Sequence, residues 1–108
     1  PTQFGRMTKL LSDLWVDDNS LTSSIPTELG SMTRLDSNFE LAENKLTGSI
    51  PTQLGRLVFL YSGFLLQTNQ LESTIPTELG KLTDLSDSTS LEHNKLCGDV
   101  PTELNSIP

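Results

Sequence analysis

The sequence has few of the features that mark a nucleic-acid-binding protein, a membrane protein or a disulfide-stabilised domain. Seven basic residues stand against fourteen acidic ones, and the net charge is −7. This balance excludes a nucleic-acid partner, because phosphates attract clustered Lys and Arg. No apolar run approaches the roughly 18 residues of a membrane span, so no direct membrane insertion is expected within this segment. The single cysteine, Cys97, cannot form an internal disulfide and does not indicate the redox compartment.

The sequence also lacks the side-chain sets that carry catalysis. His93 is the only histidine, and no Ser-His-Asp set or Cys-His pair can be completed around it. A general acid–base pair among Asp17, Asp18 and Glu43 is conceivable, but a repeating pattern explains these acids better. The cluster of Asp13, Asp17 and Asp18 could offer oxygens to Ca²⁺, yet no other part of the chain repeats it. We therefore predict no enzyme activity, no cofactor and no metal site.

A 25-residue repeat dominates the chain. Only 34% of the residues are hydrophobic, which is low for a compact domain but enough for a solenoid, whose turns each bury one narrow stripe. The aligned positions are Pro1, Pro26, Pro51, Pro76 and Pro101; Gly5, Gly30, Gly55 and Gly80; Leu10, Leu35, Leu60 and Leu85; and Ile25, Ile50, Ile75 and Val100. This interval predicts one solenoid domain over 1–108. Its repeats are 1–25, 26–50, 51–75 and 76–100, with a partial fifth at 101–108.

Each repeat divides into a strand, a turn and a short helical segment. Alternating apolar and polar residues predict strands at 13–17, 38–42, 63–67 and 88–92, which would stack as a parallel sheet with neighbours about 4.8 Å apart. The Ile-Pro-Thr-Glu-Leu-Gly segments predict short helical turns, with Pro at the first helical position and Gly at the stop. A column of asparagines is predicted to be structural, because a buried amide can satisfy backbone groups that the turn frees. Its members are Asn19, Asn44, Asn69 and Asn94.

The segment ENKLTGSIPTQLGRL at 43–57 resembles the plant-type class of the leucine-rich repeat family, whose unit is LxxLxLxxNxLxGxIPxxLGxL. The IPTELG segments at 25–30 and 75–80 are similar to those of plant proteins and of algal proteins such as those of diatoms. The resemblance covers essentially the whole chain. It implies an α/β, right-handed, curved solenoid with a parallel β-sheet on one face and short 3₁₀ or helical turns on the other. It also implies a second short strand near the LTGS segment, recognition of a protein or peptide and, commonly, a secreted or extracellular-facing, receptor-like setting.

Several features depart from the family pattern. Each repeat has one residue more than the family unit, inserted before the strand, so we expect a bulge or a looser turn there. Thr89 stands where the other repeats have an apolar residue, and Asn105 interrupts the glycine column. No capping segment is recognisable, so we expect a fragment of a longer protein, with end-to-end association as the alternative.

One face of the predicted sheet carries acids and no Lys or Arg. Trp15, the only tryptophan, and Leu65 share a column on this face, and an exposed Trp is a suitable binding anchor. The alternative is a Trp packed under a missing N-terminal turn or cap. Most bases are assigned to the helical side, which favours a basic protein or peptide partner; the alternative is solvated charge that keeps the domain soluble. The predicted partner-binding residues are Asp13, Trp15, Asp17, Asp18, Glu40, Glu43, Leu65, Gln67, Glu92 and His93.

Two further functions stay open at this stage. The chain could be a structural segment of a larger assembly, with no ligand of its own. Alternatively, the regular column of Thr27, Thr52, Thr77 and Thr102 resembles the flat threonine arrays of ice-binding solenoids. Threonine after proline is also ordinary chemistry at a helix start, so this pattern alone does not decide. The leading hypothesis is a non-catalytic module that binds a protein or peptide.

Overall fold

Successive turns of the chain stack into a solenoid in the computed structural model, which describes residues 13–15, 18–85, 89–98 and 100–102. The strands are β1 (Asp13–Trp15), β2 (Asn38–Glu40), β3 (Phe64–Leu65), β4 (Glu72–Ser73), β5 (Thr89–Ser90) and β6 (Lys95–Leu96). Within the described ranges, 3₁₀-helices span Thr27–Ser31, Thr52–Arg56 and Thr77–Lys81. The predicted α/β solenoid is confirmed. The limits of the first repeat and of the partial fifth lie outside the described residues and stay predictions.

The first sheet consists of β1, β2, β3 and β5, all parallel and in that order. Phe39 pairs with Phe64, and Phe64 pairs with Thr89, so the 25-residue step of the sequence is also the register of the sheet. The strands are two or three residues long and shorter than the predicted five. Hydrogen bonds between turns continue beyond them, as from Leu41 N–H to Leu65 C=O (2.9 Å). The regular strand ends early because the chain then starts to turn.

The extra residue of each repeat is accommodated in a bend before the strand. The chain bends at Ser37 and Ser62, and Tyr61 N–H donates to the Asp36 carbonyl in the preceding turn (2.8 Å). The pairings between the described strands show no bulge, and their register is constant along the sheet. Because the extra residue recurs at the same place, a looser turn leaves the stacking of the strands intact.

A second, two-stranded parallel sheet lies where the resemblance implied a second strand. In this sheet β4 pairs with β6, which places Ser73 opposite Leu96. An isolated bridge joins Ser24 to Thr47 in the same way two turns earlier. These partners are 23 residues apart, two fewer than in the first sheet. The shift is even, so the same side chains keep facing the core, while each turn is displaced along its neighbour.

The 3₁₀-helices begin after proline and contain the glycine of each repeat. Pro26 is extended (φ −64°, ψ 135°), and the helix starts at Thr27; the predicted helical position of Pro is therefore wrong by one residue. Gly30 is a helical residue and not the predicted stop. A Cβ at Gly30 would lie 2.5 Å from the carbonyl oxygen of Gln53 in the next turn, so glycine is needed because the helices stack in close contact. No helix in the described ranges is long and apolar enough to cross a membrane.

One apolar core lies between the first sheet and the 3₁₀-helices. The rings of Phe39 and Phe64 stack with centroids 5.4 Å apart and planes at 14°. Thr89 continues their column but is exposed, so this stripe of the core does not extend to the fourth repeat. The other buried columns include Leu41 and Leu66; Leu46 and Leu71; Ile25 and Ile50; Leu29, Leu54 and Leu79; Met32, Leu57 and Leu82; and Leu35, Leu60 and Leu85.

One position after each asparagine turn has a positive φ angle. Glycine occupies it in two repeats and serine in the others: Ser23 (67°), Gly48 (76°), Ser73 (66°) and Gly98 (77°). A left-handed backbone costs a residue with a Cβ roughly 1–2 kcal/mol. Glycine avoids this cost but loses about 0.5–1 kcal/mol more conformational entropy on folding. The two serines are therefore sites of backbone strain that a glycine relieves.

Ser73→Gly is expected to raise the free energy of unfolding by about 0.5–1 kcal/mol, as measured by urea denaturation. Ser49→Gly is the control, because Ser49 is exposed and is not among the positive-φ residues. This control should lower the free energy of unfolding by a similar amount. Equal losses in the two variants would contradict the assignment of strain to Ser73.

Candidate partner-binding face

An asparagine fixes the turn that follows each strand. The Oδ1 of Asn69 accepts the backbone N–H of Leu46 (3.0 Å), and its Nδ2 donates to the carbonyls of Leu41 (2.9 Å) and Leu66 (3.2 Å). Asn69 is buried, so its amide satisfies backbone groups that water does not reach. Leu41 and Leu46 belong to the preceding turn. The bonds of Asn69 therefore hold its own turn in shape and also join it to the turn before.

The same bonds recur along the asparagine column. Asn44 Oδ1 accepts the N–H of Leu21 (3.0 Å), and Asn94 Oδ1 accepts the N–H of Leu71 (3.0 Å). Asn19 opens the column and is exposed. The sequence predicted amides that satisfy groups freed by their own turn. The structure adds that each of the three later oxygens serves the preceding turn.

The residue before each asparagine has a left-handed backbone. The φ angles are 51° at Asp18, 54° at Glu43, 58° at Thr68 and 56° at His93, and all four residues are exposed. From the sequence, Asp18, Glu43 and His93 were predicted to belong to the outward side of the sheet. They lie instead on the turn at the end of each strand, where the left-handed residue directs the chain into the asparagine. Asp and His adopt this conformation more readily than most residues, which is the only signal of it in the sequence.

The outward side of the first sheet and its adjoining turn form a surface that we call the strand face. Within it, the register places Glu40 beside Leu65, and both residues are half-buried. The side chains of Asp13 and Trp15, and Asp17 altogether, lie outside the described residues, so their predicted roles stay predictions. The predicted binding residues that the structure brings to the strand face are Asp18, Glu40, Glu43, Leu65, Gln67, Glu92 and His93.

Asn38 and Glu40 cover the backbone at the centre of the strand face. Asn38 Oδ1 accepts the N–H of Gly63 (3.2 Å). A Cβ at Gly63 would lie 2.8 Å from that oxygen and 3.3 Å from Glu40 Oε1. The nearby outward residue Ala42 is only 3% exposed. Small residues at these two positions let longer side chains lie against the sheet, and the Glu40 carboxylate is held near the middle of the face.

Gln67 carries a polar atom without a partner. Its Oε1 is buried and accepts no hydrogen bond from the part of the chain that the structure describes. A buried, unsatisfied acceptor costs about 1–3 kcal/mol. Gln67 lies in one column of the strand face between Ala42 and Glu92. A donor supplied by a ligand would relieve this cost if the side chain rotated outward.

Basic residues lie closer to the strand face than the sequence suggested. Glu40, Glu43 and Glu92 make the face acidic, and no Lys or Arg occupies its columns. Lys45 and Lys95, however, are exposed immediately after the asparagine turn. Bases therefore border the strand face as well as occupying the helical side, and they limit its negative potential to the sheet and the left-handed turn.

Of the other chemistry considered from the sequence, the Ca²⁺ cluster of Asp13, Asp17 and Asp18 lies mostly outside the described residues. Among the described residues, no group of three His, Cys, Asp or Glu side chains could hold a metal ion, and Cys97 is a free, exposed thiol. Thr27, Thr52 and Thr77 form an exposed row. Each hydroxyl donates to the side chain that follows it, as Thr77 does to Glu78 Oε1 (3.3 Å). Ice binding by this row stays a prediction.

An apolar patch that the sequence analysis missed lies outside the strand face. Val58, Phe59 and Tyr61 are 40%, 61% and 51% exposed, and we call these three residues the flank patch. They lie between a 3₁₀-helix and β3. The sequence repeat already indicated this patch, because Val58 and Phe59 occupy the positions that Thr33 and Arg34 have in the preceding repeat. A comparison of the polar columns, and not only of the core columns, finds the patch.

Comparison with known proteins gives one family. The Leucine Rich Repeat family model matches residues 10–32, and no curated protein matches the chain significantly. A chain of the BIR3–SERK2 complex from Arabidopsis thaliana is 37% identical with a TM-score of 0.84, over 96% of this chain and 54% of its own length. The ectodomain of the Arabidopsis membrane receptor kinase GASSHO1/SCHENGEN3, in complex with CASPARIAN STRIP INTEGRITY FACTOR 2, is 29% identical with a TM-score of 0.85. The match covers 99% of this chain and 15% of that one.

The Arabidopsis receptor kinase HAESA, in complex with the peptide hormone IDA and the co-receptor SERK1, is 27% identical with a TM-score of 0.81. The match covers 97% of this chain and 21% of that one. This chain thus spans little more than half of the first structure and smaller parts of the other two. In this chain the asparagine turns at Asn44, Asn69 and Asn94 and the proline-led 3₁₀-helices recur from repeat to repeat. The chain belongs to the plant-type leucine-rich repeat family.

Proposed function

We propose that the chain is a non-catalytic module that binds a protein or peptide through the strand face. The acidic strand face is the observation that carries this proposal. Glu40 lies beside the half-buried Leu65, Glu43 and Glu92 are exposed in the turns before and after it, and no base occupies their columns. Stacking of the turns fixes the backbone positions of these residues before any ligand arrives. A surface that is ordered in advance loses less entropy on binding.

The chemistry of the strand face favours a basic partner that also offers hydrogen-bond donors. Lys and Arg side chains would be attracted to Glu40 and Glu92, and they carry donors and no acceptors. The buried oxygen of Gln67 accepts no hydrogen bond within the described residues, and such a donor could satisfy it. Leu65 supplies an apolar contact beside these groups. We include Asp13, Trp15 and Asp17 in the proposed face because their columns adjoin it in the repeat.

The similar structures support the class of partner but not its charge. GASSHO1/SCHENGEN3 and HAESA are plant receptor kinases, each solved in complex with the factor or hormone named above. By analogy, a protein or peptide ligand and an extracellular-facing setting are proposed for this chain. The basic character of the ligand rests on the carboxylates of the strand face alone.

Glu40→Lys is expected to weaken the binding of a basic peptide by about tenfold or more, because repulsion replaces attraction at the centre of the face. An array of short basic and acidic peptides, probed at low salt, would first identify a basic peptide that binds. Fluorescence anisotropy of that peptide then measures Kd for each variant. Glu28→Lys is the matched control, since it makes the same charge change at an exposed residue of a 3₁₀-helix.

Two results would reject the proposal. If Glu28→Lys weakened binding as much as Glu40→Lys, net charge and not the strand face would govern the interaction. If no basic peptide bound above the level of the acidic peptides, the chain would be better explained as a structural segment of a larger assembly.

A further inference from the structure

Identical β-turns stack along the flank of the solenoid between the 3₁₀-helices and the first sheet. Leu35 N–H donates to the Met32 carbonyl (3.0 Å), and Leu60 N–H donates to the Leu57 carbonyl (3.1 Å). A third turn, from Leu82 to Leu85, has the same bond (3.2 Å). The first and last residues of all three turns are buried in the core. The two central residues of each turn are consequently directed outward.

The second central residues of these turns form a short row that runs from positive to negative. Arg34, Phe59 and Asp84 are equivalent positions of consecutive repeats, and all three are exposed. With roughly 4.8 Å between stacked turns, Arg34 and Asp84 lie about 10 Å apart with the ring of Phe59 between them. The row beside it is Thr33, Val58 and Thr83. Both rows therefore have an apolar centre and polar ends.

We propose that a second copy of this chain docks on the flank patch in an antiparallel, two-fold symmetric arrangement. A rotation of 180° about an axis through Phe59 reverses the row. It places Arg34 opposite the partner's Asp84, and Asp84 opposite the partner's Arg34, while the two Phe59 rings meet at the axis. Such an interface uses the same patch on both subunits. The charges match only because the row has opposite signs at its two ends.

Charge complementarity selects a second copy over another occupant of the flank patch. A uniformly basic or acidic ligand would be repelled at one end of the row, whereas the reversed row is attracted at both ends. Among the described residues of this flank, the large exposed apolar side chains are those of Val58, Phe59 and Tyr61. The interface is therefore smaller than the roughly 1,200 Å² of a stable complex. An interface of this size is typical of weak, transient association, so we expect the dimer at high protein concentration, up to about 1 mM.

Sedimentation equilibrium at low salt tests the arrangement. The unaltered chain should associate to dimers in this concentration range, and Phe59→Ser should weaken association by about tenfold or more. Arg34→Asp and Asp84→Arg should each weaken it by a similar factor, because each variant places like charges opposite one another at both ends. Lys81→Asp is the control, since it makes the same charge change as Arg34→Asp at an exposed residue outside the row. Circular dichroism confirms that each variant is folded.

Mixing the two single-charge variants gives the sharpest outcome. In an Arg34→Asp chain paired with an Asp84→Arg chain, opposite charges face each other at both ends. The mixture should form heterodimers more tightly than either variant associates with itself, and the double variant should regain the affinity of the unaltered chain. A chain that stays monomeric at 1 mM would overturn the proposal. Association that survives Phe59→Ser, or a mixture that fails to restore it, would overturn it as well.

Discussion

Asn69→Ala is expected to lower the free energy of unfolding by about 3 kcal/mol. The variant leaves the N–H of Leu46 without the acceptor it has at 3.0 Å, and Leu46 is almost completely buried. It also removes one donor each from the carbonyls of Leu41 and Leu66. Removal of one partner of a buried hydrogen bond costs about 1–3 kcal/mol, and the loss of two more donors adds to it. Urea denaturation followed by circular dichroism measures the change.

Gln70→Ala is the control for this prediction. Gln70 is adjacent and exposed, and its backbone bond to Leu46 C=O (2.8 Å) survives the substitution, so the change should stay within about 0.5 kcal/mol. Asn69→Asp keeps an acceptor for the Leu46 N–H, and its protonated carboxyl keeps one of the two donors. At a pH low enough to protonate that carboxyl, this variant should fall between the other two. A loss for Asn69→Ala no larger than that of Gln70→Ala would show that the amide does not link the turns.

Gly55→Ala is the second substitution with a large expected effect, a loss of about 2–3 kcal/mol. A Cβ at this position would lie 2.5 Å from the carbonyl oxygen of Glu78 and 3.0 Å from its Cβ. These atoms belong to the next 3₁₀-helix, whose backbone cannot rotate away as a side chain can. The two helices must separate, and the core side chains Leu54 and Leu79 beneath them would lose contact. Thermal and urea unfolding both measure the loss.

Gly63→Ala is the matched control, because the glycine is also buried but its surroundings differ. The nearest atom to its Cβ is the side-chain oxygen of Asn38 at 2.8 Å, and that amide can move. The expected loss is below about 1 kcal/mol. Equal losses for Gly55→Ala and Gly63→Ala would mean that helix stacking does not set the requirement for glycine. Gly30→Ala repeats the test one turn earlier, where the Gln53 carbonyl lies equally close.

The stack and its register could be predicted from the sequence because they depend only on the repeat interval. Leu14, Phe39 and Phe64 align in the sheet as the columns required, and their burial follows from the alternation of apolar residues. The predictions that were wrong concern contacts between turns. Gly30 was expected to end a helix. Glycine is needed there instead because a Cβ would collide with the carbonyl of Gln53, 23 residues further along the chain. Nothing local to Gly30 in the sequence encodes that contact.

The candidate site was only partly predictable for a similar reason. The acids of the strand face were found by column, but the left-handed turn at Glu43 and His93 was not, because four different residue types occupy that position in the four repeats. The buried oxygen of Gln67 depends on how side chains from three turns fit together. The flank patch is a different case, because Phe59 between Arg34 and Asp84 is visible in the sequence once polar columns are compared.

The direction of the asparagine bonds bears on how the chain folds during its synthesis. Asn44 serves Leu21, Asn69 serves Leu46 and Asn94 serves Leu71, so each turn receives a buried acceptor only from the turn made after it. A ribosome needs about 1–5 s to add 25 residues, whereas short loops close in well under a millisecond. The newest turn therefore lacks this hydrogen-bond acceptor until the following turn has been synthesised. We therefore expect that the stack cannot complete a turn during synthesis faster than translation supplies the following one.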